Sequence, residues 1–294
     1  MTMNIGLVGL GFMGQAMCIG LKKAGFELFG YDILPEQIEL AEKKGVTGLS
    51  SPKEVARQSN IIISALPTSE IVEEVHCGSD GTCEGANDGQ VLVDTSTISP
   101  EAARSVAERL AARGLPFIDA SISGTSGMVA QGDCLVMAGG DKDALDRCLP
   151  PLNAIAKQVF HVGPSGTGAQ IKLVHNHIIA TTVASIAEAF AMGMKAGLEP
   201  EKMMEVFLPS AVGSKMMEVR GPMMVSDQYD PHMKAALFLK DLRLILESGQ
   251  NLGAALPMAS IAQQMMTASV SMGDGLEDVA VVLRVYEKLA GVVR

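Results

Sequence analysis

The sequence predicts an α/β protein: a Rossmann-type, doubly wound parallel sheet in the first half, followed by an all-helical C-terminal half. Three observations predict it. Short β-rich runs alternate with helix-like segments up to residue 163, the pattern of strands buried between layers of helices. The first run leads straight into the glycine turn Gly9-Leu10-Gly11-Phe12-Met13-Gly14. Beyond Gly163-Pro164-Ser165-Gly166 the strand runs stop, and only helical patterns remain.

Taken in order, the strand runs are 5–8, 27–31, 61–65, 91–94, 117–119, 135–138 and 158–162. Between them Pro35-Glu36 opens one helix and Ser99-Pro100-Glu101 another, because proline suits the first helical turn and a carboxylate suits its dipole. Residues 168–195 read as one long apolar helix ended by Gly197. Turn signals at Glu199-Pro200, Gly213-Ser214, Gly221-Pro222, Asp230-Pro231 and Gly273-Asp274-Gly275 divide the remainder into several helices. The expected division is a sheet domain over 1–163 and an all-α domain over 164–294 that begins with a long inter-domain helix.

Composition narrows the function classes. With 294 residues, 48% of them hydrophobic, the chain can bury a sizeable core and suits two domains. Its net charge of −10, from 33 acidic and 23 basic residues, provides no global field for nucleic acid or an anionic membrane. Any anionic substrate must be met by local cations. Five cysteines, Cys18, Cys77, Cys83, Cys134 and Cys148, lack the spacing of a zinc site, so no metal is expected and a reducing cytoplasm fits best. Each reads as a small buried hydrophobe. Residues 5–21 are apolar enough for a signal peptide, but no basic residue precedes them and Gly9, Gly11 and Gly14 interrupt them. Residues 173–194 contain His175, Asn176, His177 and Glu188, which suit a buried core helix better than a membrane span. The 19 methionines suit adaptable packing in the core and at a subunit interface, and a homodimer or homotetramer is expected.

The glycine turn fits G-x-G-x-x-G between a strand and a helix, the setting of a dinucleotide pyrophosphate site. Gly9 permits the tight turn, Gly11 lets the backbone approach the phosphates, and Gly14 lets helix and strand pack closely. The helix N-terminus then offers free N–H groups to the anion. Asp32, in Tyr31-Asp32, stands eighteen residues past Gly14 (32 − 14) at the end of the second strand. A carboxylate there accepts hydrogen bonds from ribose hydroxyls and repels a 2′-phosphate, so NAD is expected over NADP.

Lys172 lies near the start of the long apolar helix, with Asn176 four residues on and therefore on the same face. Two readings stand side by side. The amine either snorkels to solvent, or faces a cleft between the domains and exchanges a proton with a substrate oxygen while Asn176 orients the same group. His175 and His177 are rival acid–base candidates that share that face only in part, and they read as core histidines.

Four motifs in order, GLGFMG at 9–14, DASISG at 119–124, GTGAQIKLVHN at 166–176 and KDLRL at 240–244, resemble the β-hydroxyacid dehydrogenases over the whole chain. That family includes 3-hydroxyisobutyrate dehydrogenase and tartronate semialdehyde reductase. The resemblance implies hydride transfer between a nicotinamide and a small hydroxyacid or its semialdehyde. It implies Lys172 as the catalytic lysine, Asn176 as a substrate-orienting residue, and Ser123, Gly124 and Thr125 in the loop that holds the substrate's acidic end. For the cofactor it implies Leu66-Pro67 beside the nicotinamide, Ser96-Thr97 over its ribose and amide, and Lys240 reaching back from the C-terminal domain. The chain departs from the family at Ser121, Thr125 and Met128-Val129, where proline, glycine and Gly-Ala are usual. The Thr125-Ser126 pair is similar to sulfolactaldehyde reductases, but Gly124 replaces their arginine. A sulfonate aldehyde is therefore an alternative substrate, and a non-catalytic NAD sensor is the alternative from another class. Oxidative decarboxylation and imine reduction fit less well, the first needing a longer helical domain and the second usually lacking the lysine.

Overall fold

The computed structural model describes residues 3–294, which divide into two compact units, the first ending at Lys172 and the second running from Leu173 to Arg294. In the first unit the chain runs through β1 (Asn4–Val8), α1 (Phe12–Lys23), β2 (Glu27–Tyr31), α2 (Pro35–Glu42), β3 (Val46–Gly48) and α3 (Pro52–Gln58). It continues through β4 (Ile61–Ser64), α4 (Ser69–Cys77), α5 (Thr82–Gly85), β5 (Val91–Asp94), α6 (Pro100–Ala111) and β6 (Phe117–Ser123). Then come α7 (Ser126–Gln131), β7 (Cys134–Gly139), α8 (Lys142–Ile155), β8 (Ala156–Gly163) and α9 (Thr167–Lys195), whose later turns belong to the second unit.

The strands form one sheet in the order β3-β2-β1-β4-β5-β6-β7-β8. Alternation along the strands explains the layers. Ile61 and Ile63 enter one apolar cluster with Met17, Leu21, Leu145 and Leu152, while Ile62 enters another with Val55, Val72, Val106 and Leu110. Helices thus cover both faces, which is why the central strands read as continuous apolar runs. The order reverses between β1 and β4, the switch point at which such sheets bind ligands outside the carboxyl ends of their strands.

Two sheet features go beyond the sequence expectation. The edge strand β3 has three residues, two of them Thr47 and Gly48, too short and too polar to signal itself. Strand β6 extends four residues past Asp119 through Ala120, Ser121, Ile122 and Ser123, a stretch of mostly small residues with weak strand preference. Pairing with β7, and not propensity, keeps it extended: Ser121 lies opposite Met137 and Ser123 opposite Leu135. That pairing is antiparallel, whereas β5 with β6 and β7 with β8 are parallel. Chain direction therefore reverses after β6, and β8 ends at the edge opposite the carboxyl end of β6.

The expected boundary at 163/164 follows the last strand, whereas packing divides the chain at Lys172 and Leu173. The first turns of α9 lie against the sheet: a methyl group on Gly168 would sit 2.0 Å from the carbonyl oxygen of Asp119. Beyond them, Leu173, Ile179, Val183 and Phe190 share a core with residues of α10 (Pro200–Phe207), α11 (Lys215–Ser226), α12 (Ala235–Leu252), α13 (Pro257–Ser271) and α14 (Leu283–Ala290). One turn expectation fails. Gly221-Pro222 lies inside α11 instead of ending a helix. A side chain at Gly221 would collide with Met204, 2.4 Å from its methyl, so this glycine allows α10 and α11 to approach.

Candidate functional site

At the carboxyl end of β1 the backbone turns at Gly9, whose φ of +89° lies in the region that glycine reaches without strain. A Cβ there would lie 2.3 Å from the carbonyl oxygen of Ala65, just past β4. A Cβ on Gly14 would lie 2.1 Å from the oxygen of Gly9, so this glycine lets α1 start directly against the strand. Gly11 differs from both. No atom lies within 4 Å of where its Cβ would stand, and its φ of −66° suits any residue. As N-cap of α1 it makes no side-chain cap hydrogen bond.

Asp32 sits beside this turn. Its Oδ2 accepts the Leu10 N–H at 2.6 Å and its Oδ1 accepts the Leu34 N–H at 2.9 Å. Tyr31 and Met13 are half-buried, and Phe12 is 79% exposed at the rim. Across the switch point, the Leu66 N–H donates to Ser96 Oγ at 2.8 Å, and Thr95 donates through Oγ1 to the Ser64 carbonyl at 2.7 Å. The segments holding Leu66-Pro67 and Ser96-Thr97 are thereby tied together.

Lys172 reaches the same edge by way of β6. Asp119 accepts the Gly166 N–H at 2.9 Å and the Ala169 N–H at 2.8 Å, capping the start of α9. Burial raises the Asp119 carboxyl above its usual range, and these backbone hydrogen bonds oppose the rise. One turn further, Lys172 is 7% exposed, and its Nζ donates to the Ile122 carbonyl at 2.7 Å. The amine is not in bulk solvent. Ser123 follows directly, half-buried, and Gly124 has φ +153° with its would-be Cβ 2.8 Å from that of Cys134. Thr125 accepts the Met128 N–H at 3.3 Å and so caps α7.

In the second unit Asn176 is fully buried. Its Nδ2 donates to Asp241 Oδ2 at 2.8 Å, and its Oδ1 lies 3.1 Å from His175 Nδ1, which therefore carries the hydrogen. Lys240 Nζ lies 3.3 Å from Asp241 Oδ1. In the sequence Asp241 stands only as part of the KDLRL motif beside Lys240. No local signal marks it, because Lys240 and Arg243 flank it and make the run read as a solvated face. His175 is thus a support for Asn176, while His177 keeps a buried Nδ1 without a hydrogen-bond partner.

Burial pushes the Cys18 and Cys134 thiols up to about 11 and Cys148 to about 12, so they stay protonated and unreactive at neutral pH. Among the described residues no cluster of three His, Cys, Asp or Glu side chains could hold a metal.

A family profile described as the NAD binding domain of 6-phosphogluconate dehydrogenase matches residues 4–163. A second, described as the NAD-binding domain of NADP-dependent 3-hydroxyisobutyrate dehydrogenase, matches residues 166–286. The chain is 33% identical over 292 residues to 2-(hydroxymethyl)glutarate dehydrogenase of Eubacterium barkeri, covering 99% of this chain and 97% of the relative. The chain belongs to the β-hydroxyacid dehydrogenase family. It is 30% identical over 288 residues to 2-hydroxy-3-oxopropionate reductase of Escherichia coli, covering 98% of each. The solved structure of Mycobacterium tuberculosis 3-hydroxyisobutyrate dehydrogenase with L-serine superposes with a TM-score of 0.90 at 28% identity, covering 97% of this chain and 99% of that one. This β-hydroxyacid dehydrogenase is accordingly an NAD(P)-dependent oxidoreductase of small hydroxyacids.

Proposed function

We propose that the enzyme transfers a hydride between NAD and a short β-hydroxyacid or its semialdehyde, with Lys172 as the proton carrier. The observation that carries this reading is the buried Lys172 amine, 2.7 Å from the Ile122 carbonyl and next to Ser123, at the carboxyl end of β6. A cation held there meets two needs. As the ammonium it can protonate a nascent alkoxide while its charge stabilises the negative oxygen in surroundings of low dielectric, and in the reverse direction the neutral amine can take the proton of the alcohol. Ser123 and the backbone N–H groups beside Gly124 suit the acidic end of the substrate, since small residues let an anion approach closely. The same loop could take a sulfonate, which is the alternative substrate. Asn176, one helical turn from Lys172, would orient the reacting group.

The turn fits a dinucleotide. The space beside Gly11 leaves room for the pyrophosphate against Gly9, Gly11, Phe12, Met13 and the start of α1. When bound, the nicotinamide supplies or accepts the hydride. Asp32 beside that turn, with Tyr31, favours the unphosphorylated ribose of NAD, while Leu66, Pro67 and Thr97 would seat the reactive ring. A cofactor role for Lys240 rests on the family resemblance.

The names of the relatives support the substrate class, because 3-hydroxyisobutyrate, 2-(hydroxymethyl)glutarate and L-serine all carry a hydroxymethyl group one carbon from a carboxylate. A cytoplasmic homodimer or homotetramer completes the reading, supported by exposed Ile171, Val174 and Ile178 on one face of α9. Lys172→Ala is expected to lose at least about two orders of magnitude in turnover, the usual worth of a general acid, while still binding NADH in a calorimetric titration. Near-normal turnover in this variant would end the proposal. Assays with both cofactors are expected to favour NAD, and a preference for NADP above about tenfold (1.4 kcal/mol) would remove Asp32 from its role.

A further inference from the structure

Beneath the Leu66-Pro67 loop runs a continuous chain of buried polar side chains. It starts on α5, where Thr82 Oγ1 lies 2.9 Å from His76 Nδ1, and passes from His76 Nε2 to Ser64 Oγ at 2.9 Å. Ser64 Oγ donates to Asp94 Oδ1 at 2.6 Å, and Ser96 Oγ donates to the same oxygen at 2.6 Å. The chain ends where Ser96 Oγ accepts the Leu66 N–H at 2.8 Å. Thr82, His76, Ser64, Asp94 and Ser96 are all buried.

Counting protons fixes the direction of every link. Ser64 has one hydrogen and gives it to Asp94, since its other acceptor, the Val93 carbonyl, is 3.4 Å away. Ser64 Oγ can then only accept from the imidazole, so His76 carries its hydrogen on Nε2. Burial holds this histidine neutral, lowered to about 3, so Nδ1 has no hydrogen and accepts that of Thr82. Asp94 Oδ2 is buried without a hydrogen-bond partner. Burial raises this carboxyl to about 6 against the hydrogen bonds from Ser64 and Ser96. A proton taken up on Oδ2 leaves Oδ1 accepting, so the chain keeps its direction.

Mechanically, the chain grips the loop at both ends. Leu66 is held directly by Ser96, and Thr68, two residues on, caps α4 by accepting the Ile71 N–H at 3.3 Å. His76 sits in the last turn of that helix, its ring held edge-on against Phe117 with centroids 5.6 Å apart. Fixing His76 therefore fixes the helix that follows the loop, while Ser96 fixes the loop itself.

We propose that His76, acting through Ser64, Asp94 and Ser96, is a positioning residue for hydride transfer, holding the Leu66-Pro67 backbone on which the nicotinamide ring is seated. This rests on the functional reading above, which seats the ring there.

Four proteins test it: wild type, His76→Leu, His76→Gln, whose amide can donate to Ser64 in place of Nε2, and Ser64→Ala, which removes the middle link if His76→Leu fails to fold. Nitrogen-15 NMR of the unliganded wild type is expected to show His76 as the neutral Nε2–H tautomer from pH 5 to 8. In His76→Leu, or in Ser64→Ala, the Leu66 amide should exchange its hydrogen about tenfold faster and turnover should fall about tenfold, as for loss of one well-made hydrogen bond. The dissociation constant for NADH should stay within about threefold, a fraction of a kcal/mol, and His76→Gln should restore exchange and turnover. An Nδ1–H tautomer, wild-type Leu66 exchange in the broken-chain variants, or equal damage by Leu and Gln would overturn the proposal in favour of simple packing. A wild type that binds no NADH, or a Lys172→Ala enzyme with full turnover, would remove the seat itself and the proposal with it. Those failures leave the tautomer and exchange results unchanged, so they are distinguishable from failure of the chain.

Discussion

Gly11 and Gly14 stand three residues apart in one turn, and a methyl group has different consequences at each. At Gly14 it would lie 2.1 Å from the Gly9 oxygen, and at Gly11 it would meet nothing within 4 Å. Gly14→Ala must move backbone, and overpacking of about 3 kcal/mol should lower Tm by more than about 6 °C. Gly11→Ala loses only a modest N-cap preference, so Tm should fall by no more than about 3 °C. Calorimetric titration should nevertheless show NAD binding weakened at least about tenfold by the second change (1.4 kcal/mol). Unimpaired binding by Gly11→Ala would show that the space beside it is not where the pyrophosphate lies. The sequence pattern already names all three glycines and assigns Gly11 to the ligand and Gly9 and Gly14 to the turn and its packing. The structure supplies the contacts behind that division: the Ala65 oxygen at Gly9 and the Gly9 oxygen at Gly14. Asp241, by contrast, was not legible in the sequence, since its partner Asn176 is 65 residues away.

Individual elements were legible where periodicity was strong and obscure where neighbours decided the outcome. The long apolar pattern of α9 and the Ser99-Pro100-Glu101 start of α6 are local signals, and both elements form where expected. The second half of β6 and the passage of α11 through Pro222 depend on strands and helices packed against them, which a local pattern does not contain. The start of α9 combines both kinds of information, because its cap is Asp119, 47 residues upstream of Gly166. Asp119→Ala removes that cap and exposes two helix N–H groups inside the protein. It should destabilise the fold by about 1–2 kcal/mol, a Tm loss of roughly 2–8 °C. It should also reduce turnover, since Lys172 sits one turn above the cap. A drop in Tm with undiminished turnover would mean that the helix does not depend on this anchor to present its lysine.

For the whole molecule, His76 and Asp94 set an opposed pair of acid responses. Burial raises Asp94 from 3.8 to about 6, so its contribution to stability is present below pH 3.8 and is lost as pH rises through 6. Burial lowers His76 from 6.5 to about 3, so its contribution is present above pH 6.5 and is lost as pH falls through 3. Between pH 4 and 6 the two slopes oppose each other. In His76→Gln only the Asp94 response remains, and its Tm relative to wild type should rise as pH is lowered across that window. A relative Tm that falls or stays flat would contradict the sign. Connectivity has a larger reach. Because the antiparallel β7 sends the chain to the far edge of the sheet, α9 must climb back along β6 from Asp119 to Ile122 before Lys172 can act. The helix thereby works as a ruler. Each added residue would turn the amine by about 100° and lift it by about 1.5 Å, so length variation among natural homologues should collect in the loops before Gly166 and spare the four residues from Ala169 to Lys172.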